Sequence, residues 1–249
     1  EFGKPVKEGL YQDYENRDAL LELVRFKSTK SDGIASLEEY VGRMKPDQGA
    51  VYYITGEREH NLRESPLLEM YREKDIEVLI MDDELDDIII TTVSKYRDYE
   101  FKSVNRSDAA EDLKTETDRE KEKEVDPLIQ KIKNVLGDRV KDVKASTRLS
   151  DSPSCIVVDE NDPTVQMQTI LKAMGNASMP EIKPILEINP GHPIIVKLNS
   201  ETDEGIVEDV SNLLYEQAML IEGMKLENPV TFVRRMNAMI DTALKGGEG

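Results

Sequence analysis

The stretch Ala50-Val51-Tyr52-Tyr53-Ile54, bounded by Gly49 and Gly56, decides the fold of the first part of the chain. It is a short run of β-branched and aromatic residues between two glycines, which predicts a buried strand. A second run of this kind is Glu77-Val78-Leu79-Ile80-Met81. Because helical patterns separate the two runs, we expect parallel pairing in a small α/β layer.

Three helix starts surround these strands. Ser36 stands three residues before Glu39, which is the spacing of a capping box, and apolar residues continue to Met44. Ser65-Pro66 places proline at the first position of another helix. The acidic run from Asp82 to Asp87 follows the second strand and favours a third helix, because acidic side chains stabilise a helix N-terminus.

The second half of the chain has a different pattern. Apolar residues from Leu128 to Leu136 fit one helical face, and Gly137 follows as a C-terminal signal. The remaining expected elements are strands at Val140–Ser146 and Cys155–Val158, a helix at Asn161–Met174, and two long amphipathic helices at Asp203–Met224 and Pro229–Leu244.

The two C-terminal helices carry apolar arcs too broad to be buried against each other alone. Self-association into a four-helix arrangement would cover them, and the alternative is a helical pair packed on its own small sheet. The expected dimer-interface residues are Leu213, Leu214, Ile221, Val233, Met236 and Ile240.

The predicted architecture has two domains. From Ser107 to Val125 the sequence is almost entirely charged, which indicates a solvated helix or linker. We therefore place a boundary near Val125, with one domain over residues 1–125 and the other over residues 126–249. The predicted fold class is α/β for the first domain and mixed α+β for the second, which ends in a helical bundle.

Composition excludes several classes of protein. The net charge of −18 over 249 residues argues against binding to duplex nucleic acid, because phosphates would be repelled. No apolar run is long enough to cross a bilayer, and we recognise no leader sequence. The single cysteine excludes an internal disulfide and suits a reducing compartment, so we expect a cytoplasmic location.

No catalytic constellation is evident. His60 and His192 lie in polar or turn-forming surroundings without a metal-ligand spacing, and Cys155 fits ordinary strand packing. The acidic run Asp82–Asp87 lacks the alternating ligands and central glycine of a calcium loop. There is also no phosphate-binding glycine loop. We therefore expect no catalytic, metal or cofactor site in this chain.

Several blocks of sequence resemble the heat-shock protein 90 chaperones, and most closely the bacterial (HtpG-type) members. The blocks similar to that family's middle domain are Arg25-Phe26-Lys27-Ser28-Thr29, Ser36-Leu37-Glu38-Glu39-Tyr40-Val41-Gly42-Arg43-Met44-Lys45, Tyr52-Tyr53-Ile54-Thr55-Gly56-Glu57 and Ser65-Pro66-Leu67-Leu68-Glu69. Those similar to its C-terminal dimerisation domain are Arg148-Leu149-Ser150-Asp151-Ser152-Pro153, Leu186-Glu187-Ile188-Asn189-Pro190 and Arg234-Arg235-Met236-Asn237.

The resemblance implies a piece of an ATP-driven dimeric clamp that acts in stress response and protein folding. In the family, ATP and Mg²⁺ bind in an N-terminal domain, and an arginine that reaches the γ-phosphate also lies upstream of the matched region. Glu1 opens the chain without a methionine, so we expect a fragment that holds neither feature. The resemblance further implies a homodimer, partly folded client proteins and the seventy-kilodalton heat-shock system as partners.

A client-contact surface is also implied by the resemblance. The matching positions are Met167, Ile170, Leu171 and Met174 on one helix, and Asp87, Ile88 and Thr91 on another. The first set recurs at i, i+3, i+4 and i+7, and methionine adapts to many apolar partners. By its pattern alone, such a stripe more often belongs to a buried core than to an exposed surface.

Two alternatives to a chaperone remain open. The first is a stand-alone acidic scaffold module without an ATP cycle, which the sequence upstream of Glu1 would distinguish. The second is an α/β hydrolase that uses Cys155 or a histidine. Loss of function on thiol alkylation would be expected for that hydrolase if Cys155 is its nucleophile.

Overall fold

The computed structural model describes residues 3–164, 167–168, 171 and 182–246. Its internal contacts divide the chain into two compact units. The first unit contains Glu1–Leu113 together with Val158–Ile182, and the second contains Lys114–Val157 together with Lys183–Gly249. The second unit is therefore built from two separate stretches of sequence.

The first unit is a mixed sheet with helices between its strands. Its elements are α1 (Gly3–Gln12), α2 (Arg17–Leu23), β1 (Arg25–Ser28), β2 (Ser31–Ser36), α3 (Leu37–Arg43), β3 (Ala50–Thr55), α4 (Glu59–Arg63), α5 (Glu69–Glu73), β4 (Leu79–Met81), α6 (Glu84–Thr92), β5 (Lys95–Tyr96) and β6 (Tyr99–Ser103). The strand order is β2-β1-β4-β3-β6-β5. Strand β3 runs parallel to both β4 and β6, which confirms the predicted parallel pairing.

The core of this unit surrounds β3, in which all six residues are buried. Tyr40 connects α3 to the sheet through its buried hydroxyl. That hydroxyl donates to the Glu77 carbonyl at 2.7 Å and accepts from the Gln48 amide at 3.0 Å and the Tyr52 backbone N–H at 2.9 Å. The buried Tyr40 hydroxyl is thus fully hydrogen-bonded, which is a condition for placing a tyrosine inside a core.

Two of the predicted helix starts are confirmed, and the third differs. Ser36 and Glu39 form the capping box of α3, and the acidic run opens α6. After Ser65, however, the chain first makes a 3₁₀ turn over Pro66–Leu68 and becomes α-helical at Glu69. The Ser65 hydroxyl accepts from the Leu67 N–H, a tight bond that favours the narrower turn.

The second unit is a three-stranded sheet covered by helices. Its elements are α7 (Glu116–Leu136), β7 (Asp142–Ala145), β8 (Ser154–Val157), β9 (Ile185–Ile188), α8 (Pro193–Asn199), α9 (Glu204–Ile221) and α10 (Pro229–Gly246). Strand β9 lies in the centre, parallel to β7 and antiparallel to β8. All four residues of β9 are buried, and its apolar side chains pack with those of α7 and α9.

The boundary expected near Val125 falls inside α7. The first half of this helix is charged and mostly exposed, whereas Val125, Leu128, Ile129, Ile132 and Leu136 join the core of the second unit. One helix therefore contains both the solvated segment and the start of the domain. The contacts place the division between Leu113 and Lys114, where α7 has not yet begun.

Among the helices within the described ranges, none has the length and apolar character needed to cross a bilayer.

Candidate functional site

The N-terminus of α6 is held by its own acidic side chains. Asp83 accepts from the Leu85 N–H at 3.1 Å, and Asp86 accepts from the Asp83 N–H at 3.3 Å. The two carboxylates form a capping box, which satisfies backbone donors that the first turn leaves without helical partners. These acidic residues thus have a structural role in the helix start.

Asp86 is also paired across the unit with α1. Its carboxylate lies 2.6 Å from the Lys7 ammonium group, and its side chain is only 1% exposed. The same ammonium group stands 5.3 Å from the centre of the Phe26 ring. Burial raises the pKa of Asp86 to about 6, against the opposing influence of Lys7. The ion pair therefore joins α1 to α6. Its formation removes the Asp86 carboxylate from water, which disfavours the charged form of that group.

Replacing Asp86 with asparagine should change the pH dependence of folding stability. An unfolded aspartate loses its proton near pH 3.8, whereas folded Asp86 keeps its proton up to about pH 6. The free energy of unfolding of the wild type should therefore fall relative to that of Asp86→Asn by about 2 to 3 kcal/mol as the pH rises from 4 to 7. Urea unfolding of both proteins at each pH measures this difference.

Asp75 provides a control of opposite sign. It is exposed, and Lys30 and Lys45 lower its pKa to about 2. Any contribution of this carboxylate to folding stability is present above pH 3.8 and is lost as the pH falls toward 2. The quantity to follow is the free energy of unfolding of the wild type minus that of Asp86→Asn. If this difference stays constant, or rises with pH in the way expected for Asp75→Asn, burial does not have the role assigned to it.

Asp87, next to Asp86, faces a different partner. Its side chain is 4% exposed and accepts a hydrogen bond from the Thr164 hydroxyl at 3.2 Å. Its second carboxylate oxygen and the Thr55 hydroxyl are both buried, and the interaction of Asp87 with Thr55 opposes the effect of burial on the Asp87 pKa. Burial raises the pKa of this carboxyl group. Asp87 is therefore an interior residue of the first unit.

Thr164 links Asp87 to the expected apolar stripe. Its hydroxyl oxygen accepts from the Met167 N–H at 3.1 Å, and its carbonyl accepts from the Gln168 N–H at 2.9 Å. Met167, Gln168 and Leu171 are helical and half-buried. The structure thus brings together two sets of residues that the sequence suggested separately. Sequence reasoning missed Thr164, although a threonine three residues before Met167 has the spacing of a helix cap.

The other expected client-contact residues are placed as follows. Ile88 is half-buried, and Thr91 is exposed with its hydroxyl donating to the Ile88 carbonyl at 2.7 Å. Ile170 and Met174 lie outside the described residues. The accessible members of the proposed surface are therefore Ile88, Thr91, Met167 and Leu171, while Asp87 supports them from inside.

In the second unit, the expected interface residues fall into two groups. Leu213 and Leu214 on α9 are buried within the unit itself. Met236 is half-buried, and Ile221, Val233 and Ile240 are roughly half exposed. Within a single copy, the two α9 leucines are therefore buried in their own unit. Ile221 at the end of α9 and the α10 residues Val233 and Ile240 remain partly exposed.

Helix α10 is attached mainly through one arginine. Arg235 donates to Asp209 at 3.0 Å and to Glu216 at 2.7 Å, both on α9. None of the side chains described on α10 is buried. We call its uncovered apolar residues the α10 stripe: Val230, Val233, Ile240 and Leu244, which are 46 to 71% exposed. An apolar face of this length on one helix is unusual for a surface that meets only water.

A buried ion pair that the sequence analysis did not identify lies in the sheet of the second unit. Arg148 contacts Glu187 on β9 through two bonds of 2.9 and 3.1 Å, and Ser146 donates to the same carboxylate at 2.8 Å. The Cys155 thiol is buried 3.9 Å from that carboxylate. Burial raises the pKa of Glu222, after α9, to about 7, and the positive charge of Arg148 opposes this rise.

The remaining candidate residues occupy structural positions. His60 is exposed on α4, 3.8 Å from Glu64, and His192 caps α8 by accepting from the Ile194 N–H at 3.2 Å. Within the part of the chain that the structure describes, no group of three or more His, Cys, Asp or Glu side chains is arranged to hold a metal ion.

Comparisons with known proteins identify several relatives of this chain. A family model described as Hsp90 protein matches residues 1–248. The chain is 53% identical to Chaperone protein HtpG of Treponema denticola and 48% identical to that of Treponema pallidum, in each case over 96% of this chain. It is 43% identical to Chaperone protein HtpG of Borrelia garinii over 98% of this chain. The chain spans 39% of the length of each of these relatives.

Proposed function

The chain belongs to the Hsp90 family, and from this premise we propose that it is the part of a molecular chaperone that forms the homodimer and contributes to the binding of client proteins. The relatives bear the name chaperone, which supports the general role. We assign no catalytic residue to this chain. The ATP-driven cycle, with ATP and Mg²⁺, is proposed for the whole protein of which this chain is a part.

The observation that carries the proposed homodimer is the α10 stripe. Its four large apolar residues lie exposed along one helix, which packs against α9 within the unit. Covering the stripe with the same stripe of a second copy gives a closed two-fold arrangement, in which each copy contributes two helices. Burial of apolar area then stabilises the dimer.

The mass of the chain in solution tests this proposal. Light scattering after size exclusion at micromolar concentration should give twice the mass of one 28.3 kDa chain. A strict monomer at those concentrations would overturn the homodimer.

The client-binding part of the proposal rests on the residues around Thr164. Met167 and Leu171 are half-buried apolar side chains, and Ile88 on α6 is half-buried in the same unit. Methionine is flexible and polarizable, so it can adapt to apolar segments of different shapes. Partly folded proteins expose segments of this kind, which makes them the expected ligands.

Replacing Met167 and Leu171 together with aspartate should weaken the binding of an unfolded protein roughly ten-fold or more. A carboxylate placed in an apolar contact must be desolvated without a partner. Binding of a reduced, unfolded model protein can be followed by fluorescence anisotropy. Gln168→Asp serves as the control, since it adds charge on the same segment without removing an apolar side chain.

Three outcomes of that experiment separate the proposed functions. Binding that weakens only in the Met167 and Leu171 variant supports a client surface. Equal binding by all three proteins would remove this surface from the proposal, and a dimer that binds no unfolded protein at all would favour the acidic scaffold. A cytoplasmic location and partnership with the seventy-kilodalton heat-shock system complete the proposal, and both rest on family membership.

A further inference from the structure

One guanidinium group on α10 bonds to two carboxylates on α9. The Arg235 Nε donates to Asp209 at 3.0 Å, and its Nη1 donates to Glu216 at 2.7 Å. The two acidic residues are seven positions apart, so they lie on one face of α9, about two turns from each other. A planar guanidinium that bonds to both at once fixes where α10 lies along α9 and how it is turned about its own axis.

This contact is largely withdrawn from water. The side chains of Arg235 and Glu216 are 13% and 11% exposed, whereas that of Asp209 is 44% exposed. Solvent screens a partly buried ion pair less than an exposed one, and each buried charge requires its partner in place. The contact therefore favours one arrangement of the two helices over neighbouring ones.

The connection between the two helices is fixed at its near end. Gly223, whose φ is 73°, follows α9 in the left-handed region, and the Met224 N–H donates to the Met219 carbonyl at 2.9 Å. Met224 and Leu226 then pack against the core of the second unit. Beyond Arg235, the side-chain hydrogen bonds described on α10 stay within that helix. Arg235 is therefore the last polar anchor of α10 among the described residues.

The α10 stripe lies on the side of α10 away from this anchor. Arg235 is two residues after Val233 and five before Ile240, which places it about 200° and 140° around the helix axis from them. Because Arg235 is held against α9, these two apolar side chains are turned away from α9, and both are roughly half exposed. The direction in which the stripe faces thus depends on the arginine.

We propose that Arg235 is a positioning residue for the homodimer. By bridging Asp209 and Glu216 it sets the register and rotation of α10 on α9, and it thereby presents the α10 stripe to a second copy of the chain. This inference rests on the proposed function, because its partner is the second copy proposed there. Arg235 itself contacts α9 and contributes no apolar area to the interface.

Replacing Arg235 with methionine, alone and together with Glu216→Met, tests this role. The single variant leaves Glu216 buried without its counter-charge, so the urea midpoint of unfolding should fall, and the dissociation constant of the dimer should rise roughly 30-fold or more. The double variant holds no uncompensated buried charge, so its urea midpoint should recover. Its dissociation constant should remain roughly ten-fold or more above that of the wild type, because nothing sets the register.

Sedimentation equilibrium gives the dissociation constants. Urea midpoints are compared in the background of Val233→Asp with Ile240→Asp, so that dimerisation does not contribute to the measured stability. A second pair of variants keeps the positive charge. Arg235→Lys should raise the dissociation constant roughly five-fold or more, because an ammonium group lacks the fixed fork that holds two carboxylates. Arg234→Lys is the matched control at an exposed arginine and should stay within about two-fold of the wild type.

The positioning role is overturned if the double variant regains the wild-type dissociation constant together with its urea midpoint, since Arg235 would then only neutralise Glu216. It is equally overturned if Arg235→Met dimerises as tightly as the wild type.

A wild type that is itself monomeric would refute the proposed homodimer, and hydrogen exchange would still test the hold on α10. The Met239 and Ile240 amides should then exchange roughly ten-fold faster in the double variant than in the wild type. Unchanged exchange at these amides would show that Arg235 does not position the helix.

Discussion

Replacing Arg148 with methionine should lower the free energy of unfolding of the second unit by about 3 to 5 kcal/mol. The guanidinium group is 1% exposed and pairs with the Glu187 carboxylate through two bonds. Methionine fills similar space but leaves Glu187 buried on the central strand β9, with the Ser146 hydroxyl and the Cys155 thiol beside it and no counter-charge from Arg148. A buried carboxylate without a counter-charge must be protonated or hydrated at the expense of packing.

Urea unfolding followed by circular dichroism measures this loss. Lys133→Met is the matched control, because Lys133 and Asp142 also form an ion pair, at 2.8 Å in the same unit, but both side chains are more than a third exposed. An exposed pair contributes little, so this control should lose less than about 1 kcal/mol. Equal losses for the two methionine variants would show that burial of the Arg148–Glu187 pair has no special consequence.

The double variant Arg148→Met with Glu187→Met separates the pair from its parts. Removing both charges leaves no uncompensated ion, and two apolar side chains of suitable volume can pack in the vacated space. We expect this protein to recover much of the stability that Arg148→Met loses. A double variant less stable than either single variant would instead indicate that the charges are required for the sheet to form.

The elements that the sequence predicts well depend on local signals. The strand at residues 50–54, the capping box of α3 and the long helix α9 are each specified by residues within a few turns of one another. Strand composition, cap spacing and helical periodicity act over these short distances. This explains why these three elements were predicted correctly.

The contacts that build the site depend on distant residues. Asp87 and Thr164 are 77 positions apart, and Arg148 and Glu187 are 39 apart. No periodicity in the sequence connects such pairs, because the sheet topology alone brings them together. The sequence places its boundary near Val125, inside α7, because the charged first half of this helix is followed there by apolar residues that pack in the core.

The helix pair α9–α10 illustrates the same difference between local signals and contacts of distant residues. Periodicity correctly predicts a broad apolar arc on α9, but it does not say which part packs on the protein's own sheet. Leu213 and Leu214 are buried in this unit, whereas Ile221 remains half exposed. Only the three-dimensional packing identifies the uncovered part, which lies on α10 and at the end of α9.

Replacing Val233 and Ile240 together with aspartate should raise the dissociation constant of the proposed homodimer by about 100-fold or more. The two residues are seven positions apart on α10, so they lie on the same face, and each is roughly half exposed in one copy. A two-fold interface presents every substitution twice, so four carboxylates would enter an apolar contact. A loss of about 3 kcal/mol corresponds to this change in affinity.

Sedimentation equilibrium over a range of protein concentrations measures the dissociation constant, and Ala238→Asp with Thr242→Asp is the matched control. These two residues are exposed on α10, and their replacement with aspartate adds the same charge on a different face of the helix. The control should dissociate within a few-fold of the wild type, although it adds the same number of negative charges and Ala238→Asp lowers helix propensity at least as much as either substitution in the α10 stripe. If both variants dissociate equally, charge repulsion explains the effect. If neither variant dissociates more readily than the wild type, the dimer is formed without the α10 stripe.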